Sequence, residues 1–155
     1  MTDVETASMV REIAESMLAT CGSPLQSVYA YVEAADGWYA TDLFDEYSDH
    51  LLWRRIPRTI ARACYDVWLA ADEDKKWKAA EIVVANGKFE YEFHYGDDGW
   101  DEEVFPFERM EPLVAARYPG KPIHYPPRDA DRDFIPLTLA EDGTLKWADE
   151  PDSDQ

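Results

Sequence analysis

The sequence has little cysteine and no long apolar run, and each shortage removes a class of protein. Its two cysteines, Cys21 and Cys64, lie in apolar patterns typical of helices, so we expect buried thiols in a reducing compartment. They suit neither a disulfide framework nor a zinc site. No apolar stretch approaches the roughly 20 residues that a membrane-spanning helix needs, and the N-terminus lacks a secretory signal. These absences predict a soluble protein of the cytoplasm.

Positive charge is also scarce, with 15 basic residues against 33 acidic ones and a net charge of −18. Such a surface repels phosphate, which argues against nucleic acid and anionic membranes as partners, whereas it attracts a basic protein. The simpler interpretation, that acids keep the protein in solution, is favoured by composition alone. Nine acids oppose only Arg109 within residues 90–111, and nine oppose two basic residues within 129–155. Seven of the 15 basic residues lie between Arg54 and Lys78.

Hydrophobic periodicity predicts an N-terminal helix over residues 3–21, where Thr2 and Glu5 have the spacing of a capping box. Its expected buried stripe comprises Val4, Ala7, Val10, Ala14, Met17, Leu18 and Cys21. A strand over 25–35, a tight turn at Asp36–Gly37 and a returning strand over 38–44 predict a first hairpin. After a break, a second helix is expected over 54–71. Its expected buried stripe comprises Ile56, Ile60, Ala63, Cys64, Val67 and Ala71.

Residues 79–95 carry the strongest hairpin pattern of the chain, centred on Asn86–Gly87. A two-residue turn pairs Ala85 with Lys88, and on one face it pairs Val84 with Phe89, Ile82 with Tyr91 and Ala80 with Phe93. We expect that face to lie on the core. The opposite face carries Glu81, Glu90, Glu92 and His94, and we expect it to contact solvent.

The C-terminal third has weaker patterns. A short helix is predicted over 108–118, with Pro112 either in its first turn or breaking it. Residues 119–133 predict an irregular, proline-rich connection. Leu137, Leu139, Leu145 and Trp147 around Asp142–Gly143 suggest a last small hairpin, and the tail from residue 148 is expected to be disordered.

These elements predict an α+β fold, an antiparallel sheet of consecutive hairpins with three helices packed mainly on one face. We expect one domain over residues 1–120, an extension over 121–147 and an acidic tail over 148–155.

No catalytic motif is present in the sequence. The three histidines, His50, His94 and His124, are far apart, and each is more readily interpreted as a structural or surface residue. Asp129, Asp131 and Asp133 imitate the start of a calcium loop, but Phe134 and Ala140 occupy its required glycine and glutamate positions. The sequence lacks a phosphate-binding loop, a nucleophile elbow and a Cys-X-X-Cys pair. We therefore expect no enzyme, no cofactor and no metal site.

Aromatic residues alternate with acids in two segments, around Trp38–Tyr47 and around Tyr95–Glu102. Aromatic side chains anchor protein interfaces, and surface acids set orientation and association rate. Tyr91 and Phe93 are better interpreted as core residues. For Trp100, which lies between GDDG and DEE, exposure at a binding surface and burial are equally plausible.

Residues 77–98, WKAAEIVVANGKFEYEFHYGDD, resemble the characteristic region of the YezG-type immunity proteins. The family has a tryptophan opening a strand, a Gly-Lys-Phe turn, a return strand of alternating aromatic and acidic residues, and an acidic loop. The matching positions are Trp77, Gly87–Lys88–Phe89, Tyr91, Phe93, Tyr95 and Asp97–Asp98. FERMEPLVAARYPG, with Tyr118, is similar to the family's closing helix. The resemblance covers about residues 5–120, and residues 121–155 depart from it.

This resemblance implies a cytoplasmic antitoxin that binds the toxin domain of a secreted bacterial effector, often a nuclease, and blocks it. The family implies no particular site residues, so candidates for contact with a basic toxin come from position and charge. They are Glu90, Glu92, His94, Asp97, Asp98, Trp100, Asp101, Glu102 and Glu103. We expect a monomer or weak dimer. The alternatives are a general interaction module, which could pair through a sheet edge, and then a small enzyme or metal-binding protein that uses the carboxylates and His94.

Overall fold

The computed structural model describes residues 1–21, 27–96 and 100–125, and the backbone of residues 137–139 and 145–147. Contacts within the chain divide it into two compact units, residues 1–125 and 126–155. The elements of the first unit are α1 (Asp3–Cys21), β1 (Ser27–Ala35), β2 (Trp38–Glu46), β3 (Leu51–Arg54), α2 (Arg58–Ala70), a 3-10 turn (Glu73–Lys75), β4 (Ala79–Ala85), β5 (Lys88–His94), α3 (Pro106–Arg117) and β6 (Ile123–His124). In the second unit, β7 (Leu137–Leu139) pairs antiparallel with β8 (Leu145–Trp147).

The sheet of the first unit has the strand order β5-β4-β1-β2-β3-β6. Neighbouring strands are antiparallel except for β3 and β6, which run parallel. Strand β1 lies between β2 and β4, and eight of its nine residues are buried, so both faces of the sheet are covered at its centre. The predicted α+β class with an antiparallel sheet of hairpins is confirmed.

The second hairpin forms in the predicted register. Ala85 pairs with Lys88, and Ala80, Ile82 and Val84 face the predicted partners across the two strands. The turn requires positive φ at both central residues, and Asn86 and Gly87 have φ of 53° and 73°. Asparagine and glycine tolerate this conformation, which explains why a two-residue sequence predicts the pairing of fourteen strand residues.

Helices α1 and α2 cover one face of the sheet. Val10, Met17, Ile60, Cys64 and Val67 pack there against alternate residues of β1, β4 and β5. The predicted span of α1 and its capping box are confirmed, since Thr2 N donates to Glu5 Oε2 at 3.0 Å and Glu5 N donates to Thr2 Oγ1 at 3.1 Å. Two members of the predicted stripe are wrong: Val4 and Leu18 are 79% and 50% exposed. The buried face of α1 therefore contains fewer of the predicted positions than the apolar pattern suggests, and it includes Ile13, which was not in the predicted stripe.

Helix α3 covers the opposite face. Tyr29, Tyr31 and Phe44 point to this side of the sheet and pack with Met110 and Val114 of the helix. Tyr118 follows the helix, meets the Tyr29 ring edge-on at 5.9 Å and shares a 2.7 Å hydrogen bond with Ser27 Oγ. Two of the three helices therefore share one face, and the third forms a second core layer.

The second helix begins later than predicted. Arg54, the predicted first residue, instead ends β3, a strand over 51–54 that was not predicted and in which the buried Leu51 pairs with Glu46 of β2. Arg54 Nε donates to the buried carboxylate of Asp45 one strand away. The remaining stripe is largely confirmed: Ile56, Ile60, Cys64 and Val67 are buried, whereas Ala63 and Ala71 are only half-buried.

Helix α3 begins at Pro106 and contains Pro112 in its interior, so the predicted start and the predicted place of Pro112 are both wrong. Pro106 suits the first helical position because its missing N–H needs no partner there. Pro112 costs the helix a hydrogen bond, which the burial of Met110 and Val114 offsets. The connection after α3 also contains β6, a two-residue strand that was not predicted because the prolines around it indicated irregular structure.

The last predicted hairpin is confirmed in its strands, since Leu137 pairs with Trp147 and Leu139 with Leu145. Its turn at Asp142–Gly143, the aspartates at 129, 131 and 133, and the tail from residue 148 lie outside the described residues. Among the helices that the structure describes, none has the length and apolarity to cross a membrane.

Candidate functional site

Strand β5 presents the predicted site residues on the side of the sheet that α3 partly covers. Alternate residues of a strand share a face, so Glu90, Glu92 and His94 project together. Glu90 and Glu92 are exposed, as predicted for a solvent-facing surface. The prediction is wrong for Glu81 and His94, whose side chains are only 12% and 27% exposed. This face of the hairpin is therefore exposed to solvent at Glu90 and Glu92 and partly buried at Glu81 and His94.

Glu81, Glu92 and His94 form a convergent group. Glu81 and Glu92 are directly opposed in the β4–β5 register, and His94 follows two residues after Glu92. His94 Nε2 lies 2.7 Å from Glu81 Oε2, and the facing atoms of all three side chains lie within 4.8 Å of one another. Tyr29 Oη donates to the other oxygen of Glu81 at 2.6 Å. Burial and this carboxylate raise the pKa of Tyr29 well above its usual value, so Tyr29 remains a donor.

A buried ion pair holds the loop that follows β5. Glu33 is 1% exposed, and it accepts hydrogen bonds from Arg109 Nε at 2.9 Å and from Arg109 Nη2 at 2.7 Å. Tyr31 Oη donates to the same carboxylate at 2.5 Å. Arg109 Nη1 reaches the carbonyl oxygens of Asp101 and Val104 at 2.5 and 2.7 Å. The hydrogen bonds with Glu33 raise the pKa of Arg109, and the guanidinium fixes the loop to the sheet.

Trp100 has two cations near its ring at the start of this loop. Arg109 Cζ is 4.6 Å and Lys78 Nζ is 5.7 Å from its ring centroid. The side chain is half-buried and packs against the second core layer, so Trp100 is neither an isolated surface anchor nor a core residue. Lys78 also pairs with Glu102, and that hydrogen bond lowers the pKa of the Glu102 carboxyl.

The exposed acids of this region differ in how they are neutralised. Glu90 pairs with Arg117 at 3.3 Å, and Glu102 pairs with Lys78. Within the described part of the chain, no ion pair neutralises Glu92, Asp101 or Glu103. Asp97 and Asp98 lie outside the described residues. The acids that remain available to a partner are thus fewer than the predicted set.

Two clefts meet at His94. One, of about 580 Å³, lies between β5 and α3 and is lined by Tyr31, His94, Trp100 and Arg109 among others. The second, of about 600 Å³, is bordered by Glu90, Glu92, His94 and Arg117. His94 lines both, so the structure brings strand residues and loop residues of the predicted site to one side of the sheet. We name the exposed carboxylates Glu92 and Asp101, which line these clefts, and the neighbouring Glu103 the acidic rim; the three are unpaired among the described residues.

Other residues singled out from the sequence lie elsewhere. Trp38 and Tyr39 are 45% and 40% exposed at the first hairpin turn, whereas Phe44 is fully buried. Arg54 pairs with Asp45, and Arg62 pairs with Asp66 on its own helix at 3.2 Å. Cys21 and Cys64 are the expected buried thiols, and burial raises the pKa of each to about 12.

Sequence reasoning missed Glu33, Arg109 and Lys78 as organisers of the site. In the sequence, Glu33 alternates with the apolar residues of its strand, and Arg109 is the one Lys or Arg among nine acids in residues 90–111. The alternation of Tyr29, Tyr31 and Glu33 opposite an apolar face was the available signal, because two tyrosines on a supposedly polar face indicate a second layer.

Searches of protein-family models and of curated proteins found no match to this chain.

Proposed function

We propose that this protein is an immunity protein of the YezG type, which acts in the cytoplasm and neutralises a basic toxin domain by covering it with the acidic rim. The proposal rests on the resemblance over residues 77–98 and on one structural observation. Exposed carboxylates surround two adjoining clefts on the side of the sheet that carries Trp100 and His94.

The physical argument is electrostatic. A toxin that cleaves nucleic acid needs a cationic cleft, and fixed carboxylates can occupy the positions of phosphates within it. Close charge pairs across one nuclease–inhibitor interface contribute about 1.5–7 kcal/mol each, so a few carboxylates are enough. Arg109 holds the backbone of the loop, which reduces the ordering cost that Asp101 and Glu103 would otherwise add to binding.

A matched pair of variants tests this surface. The probe is the C-terminal domain of the protein encoded by the adjacent upstream gene, titrated into the full chain. We expect a one-to-one complex and loss of the domain's toxicity. Asp101→Asn/Glu103→Gln should slow association several-fold, toward the low end of the roughly 10- to 1,000-fold that steering contributes. Glu12→Gln/Glu15→Gln removes the same charge from exposed positions of α1, on the other face, and should leave the rate unchanged.

Absence of a toxin in the neighbouring gene, together with recovery of none by pull-down from the native cells, would contradict the proposal. Equal slowing by both double variants would show that net charge, and not the acidic rim, governs association.

The alternative of a general interaction module is supported by one feature, the position of β5 at the edge of the sheet. This edge carries Lys88, Glu90 and Glu92, and charges of this kind disfavour pairing with a second copy. Sedimentation velocity over a range of protein concentrations distinguishes the two. We expect a monomer, and a concentration-dependent dimer would favour the alternative.

A further inference from the structure

We propose that Glu81, Glu92 and His94 form a binding site for one divalent transition-metal ion, of which Zn²⁺ is the best match. This inference is independent of the proposed immunity function, because it concerns the metal alone. It rests on the way that β4 and β5 bring two carboxylates and an imidazole to one point.

The donor set has the composition that zinc accepts. Zn²⁺ binds histidine nitrogen and carboxylate oxygen, and sites with three protein ligands keep a fourth position for water or another ligand. Imidazole favours such metals over Mg²⁺ and Ca²⁺, whose preferred ligands are oxygens. Two carboxylates and a neutral imidazole also balance the charge of a divalent ion. The histidine therefore separates this group from an ordinary cluster of surface acids.

The backbone positions the three ligands before any metal binds. Glu81 and Glu92 are cross-strand partners, and His94 lies on the same face of β5 as Glu92. All three facing atoms lie within 4.8 Å of one another. Two bonds of about 2.0–2.1 Å at a tetrahedral angle require ligand atoms about 3.3 Å apart. Since His94 Nε2 and Glu81 Oε2 are now 2.7 Å apart, entry of the ion needs only a small opening of that contact.

Tyr29 orients one of the three proposed ligands through a hydrogen bond. Its hydroxyl donates to Glu81 Oε1 at 2.6 Å and leaves Oε2 directed at His94. Hydrogen-bonded ligand carboxylates of this kind are typical of metal sites, where the outer partner orients the ligand. The cleft beside Glu92, of about 600 Å³, gives solvent access for a fourth ligand. Arg117 borders the same cleft, and its contact there is with Glu90.

The competing explanation is a plain ion pair between Glu81 and protonated His94, with Glu92 as a solvated neighbour. That explanation needs only two of the three side chains. A metal ion needs all three, so the exposed Glu92 is the residue that distinguishes the two.

Isothermal titration of the chelator-treated full chain with ZnCl₂ tests the site. We expect one Zn²⁺ per chain, and Co²⁺ in its place should give visible absorption bands of a nitrogen- and oxygen-ligated ion. Glu92→Gln and His94→Gln should each weaken binding by at least about 10-fold, and Tyr29→Phe by about 10-fold. Glu90→Gln removes the same charge from the same strand face and should change the affinity little. Circular dichroism confirms that each variant is folded.

Three results would overturn the proposal: no stoichiometric binding, equal loss of affinity in Glu90→Gln and Glu92→Gln, or binding that survives His94→Gln. His50 and His124, whose ring centroids lie 4.4 Å apart, are the two histidines that contact each other in the described residues. Loss of binding in His124→Gln with retention in His94→Gln would locate the ion there instead.

Discussion

The residue that most influences the architecture of the site is Glu33, a carboxylate that β1 carries into the second core layer. It is neutralised by Arg109, which lies 76 residues later in the chain, and no local pattern connects the two. Charge counting assigned Arg109 to an acidic stretch as a minor counterion. The pairing follows from the position of α3 over β1, which depends on the whole first unit, so the sequence could not predict it.

Removal of this arginine should destabilise the protein strongly. Arg109→Ala leaves Glu33 buried with the Tyr31 hydroxyl as its one remaining side-chain partner among the described residues, and breaking a buried pair in this way costs about 3–5 kcal/mol. Urea unfolding of the full chain measures the loss. Arg11→Ala is the control, because Arg11 and Glu15 form an exposed pair at 3.7 Å that is worth less than about 1 kcal/mol. Similar losses in both variants would show that the Glu33–Arg109 pair contributes no special stability.

The two thiols give a prediction about pH. Burial raises the pKa of Cys21 and Cys64 from 9.0 to about 12, so the folded state favours the protonated thiol. The unfolded chain ionises first, and the contribution to stability is therefore complete below about pH 9 and declines as the pH rises toward 12.

Reaction with an aromatic disulfide reagent at pH 8 should accordingly be slow for both thiols and become fast when urea unfolds the chain. Cys21→Ala and Cys64→Ala assign the two rates. Rapid modification of either cysteine in the folded protein would contradict the assignment of both as buried thiols.

Helices and strands whose positions are set by residues close together in the sequence were predicted correctly. The β4–β5 register follows from Asn86–Gly87, and the start of α1 follows from Thr2 and Glu5. The errors concern elements whose existence depends on distant partners. Strand β3 pairs with β2 across a short turn and was not predicted, and β6 depends on a parallel neighbour some 70 residues earlier. Of the candidate site, the strand residues were predictable, and the burial of Glu81 beneath them was not.

The second hairpin turn should be sensitive to backbone strain alone. Gly87 has φ of 73°, and a Cβ atom at this position would meet no atom within 4 Å. Gly87→Ala should therefore cost about 1–2 kcal/mol through the left-handed conformation. Gly87→Asn should cost less, because asparagine tolerates that conformation. Chemical denaturation measures both, and equal effects would mean that strain at this φ does not set the cost.

In helix α3, by contrast, Pro112 should destabilise the helix that contains it. Pro112 is exposed in the helix interior, so Pro112→Ala should restore one backbone hydrogen bond and stabilise the protein, by at most about 3 kcal/mol. Pro106→Ala is the control, since proline at the first helical position is favourable. Thermal unfolding compares the two. A less stable Pro112→Ala variant would indicate that the surrounding cleft needs the proline ring.

At the scale of the whole molecule, the net charge of −18 opposes compactness, whereas the proposed function needs the acidic rim. Sodium chloride should therefore raise the unfolding temperature, because the screening length falls from about 10 Å at 0.1 M to about 3 Å at 1 M. Asp101→Asn/Glu103→Gln should itself be more stable at low salt and respond less to added salt. The same variant should associate more slowly with the toxin domain, so stability and function change in opposite directions. Glu12→Gln/Glu15→Gln should not lose association rate, and its gain in stability should be smaller because it also removes the exposed pair between Glu15 and Arg11. If neutralising the acidic rim lowers stability at low salt, its carboxylates are paired within the protein and are not available to a partner.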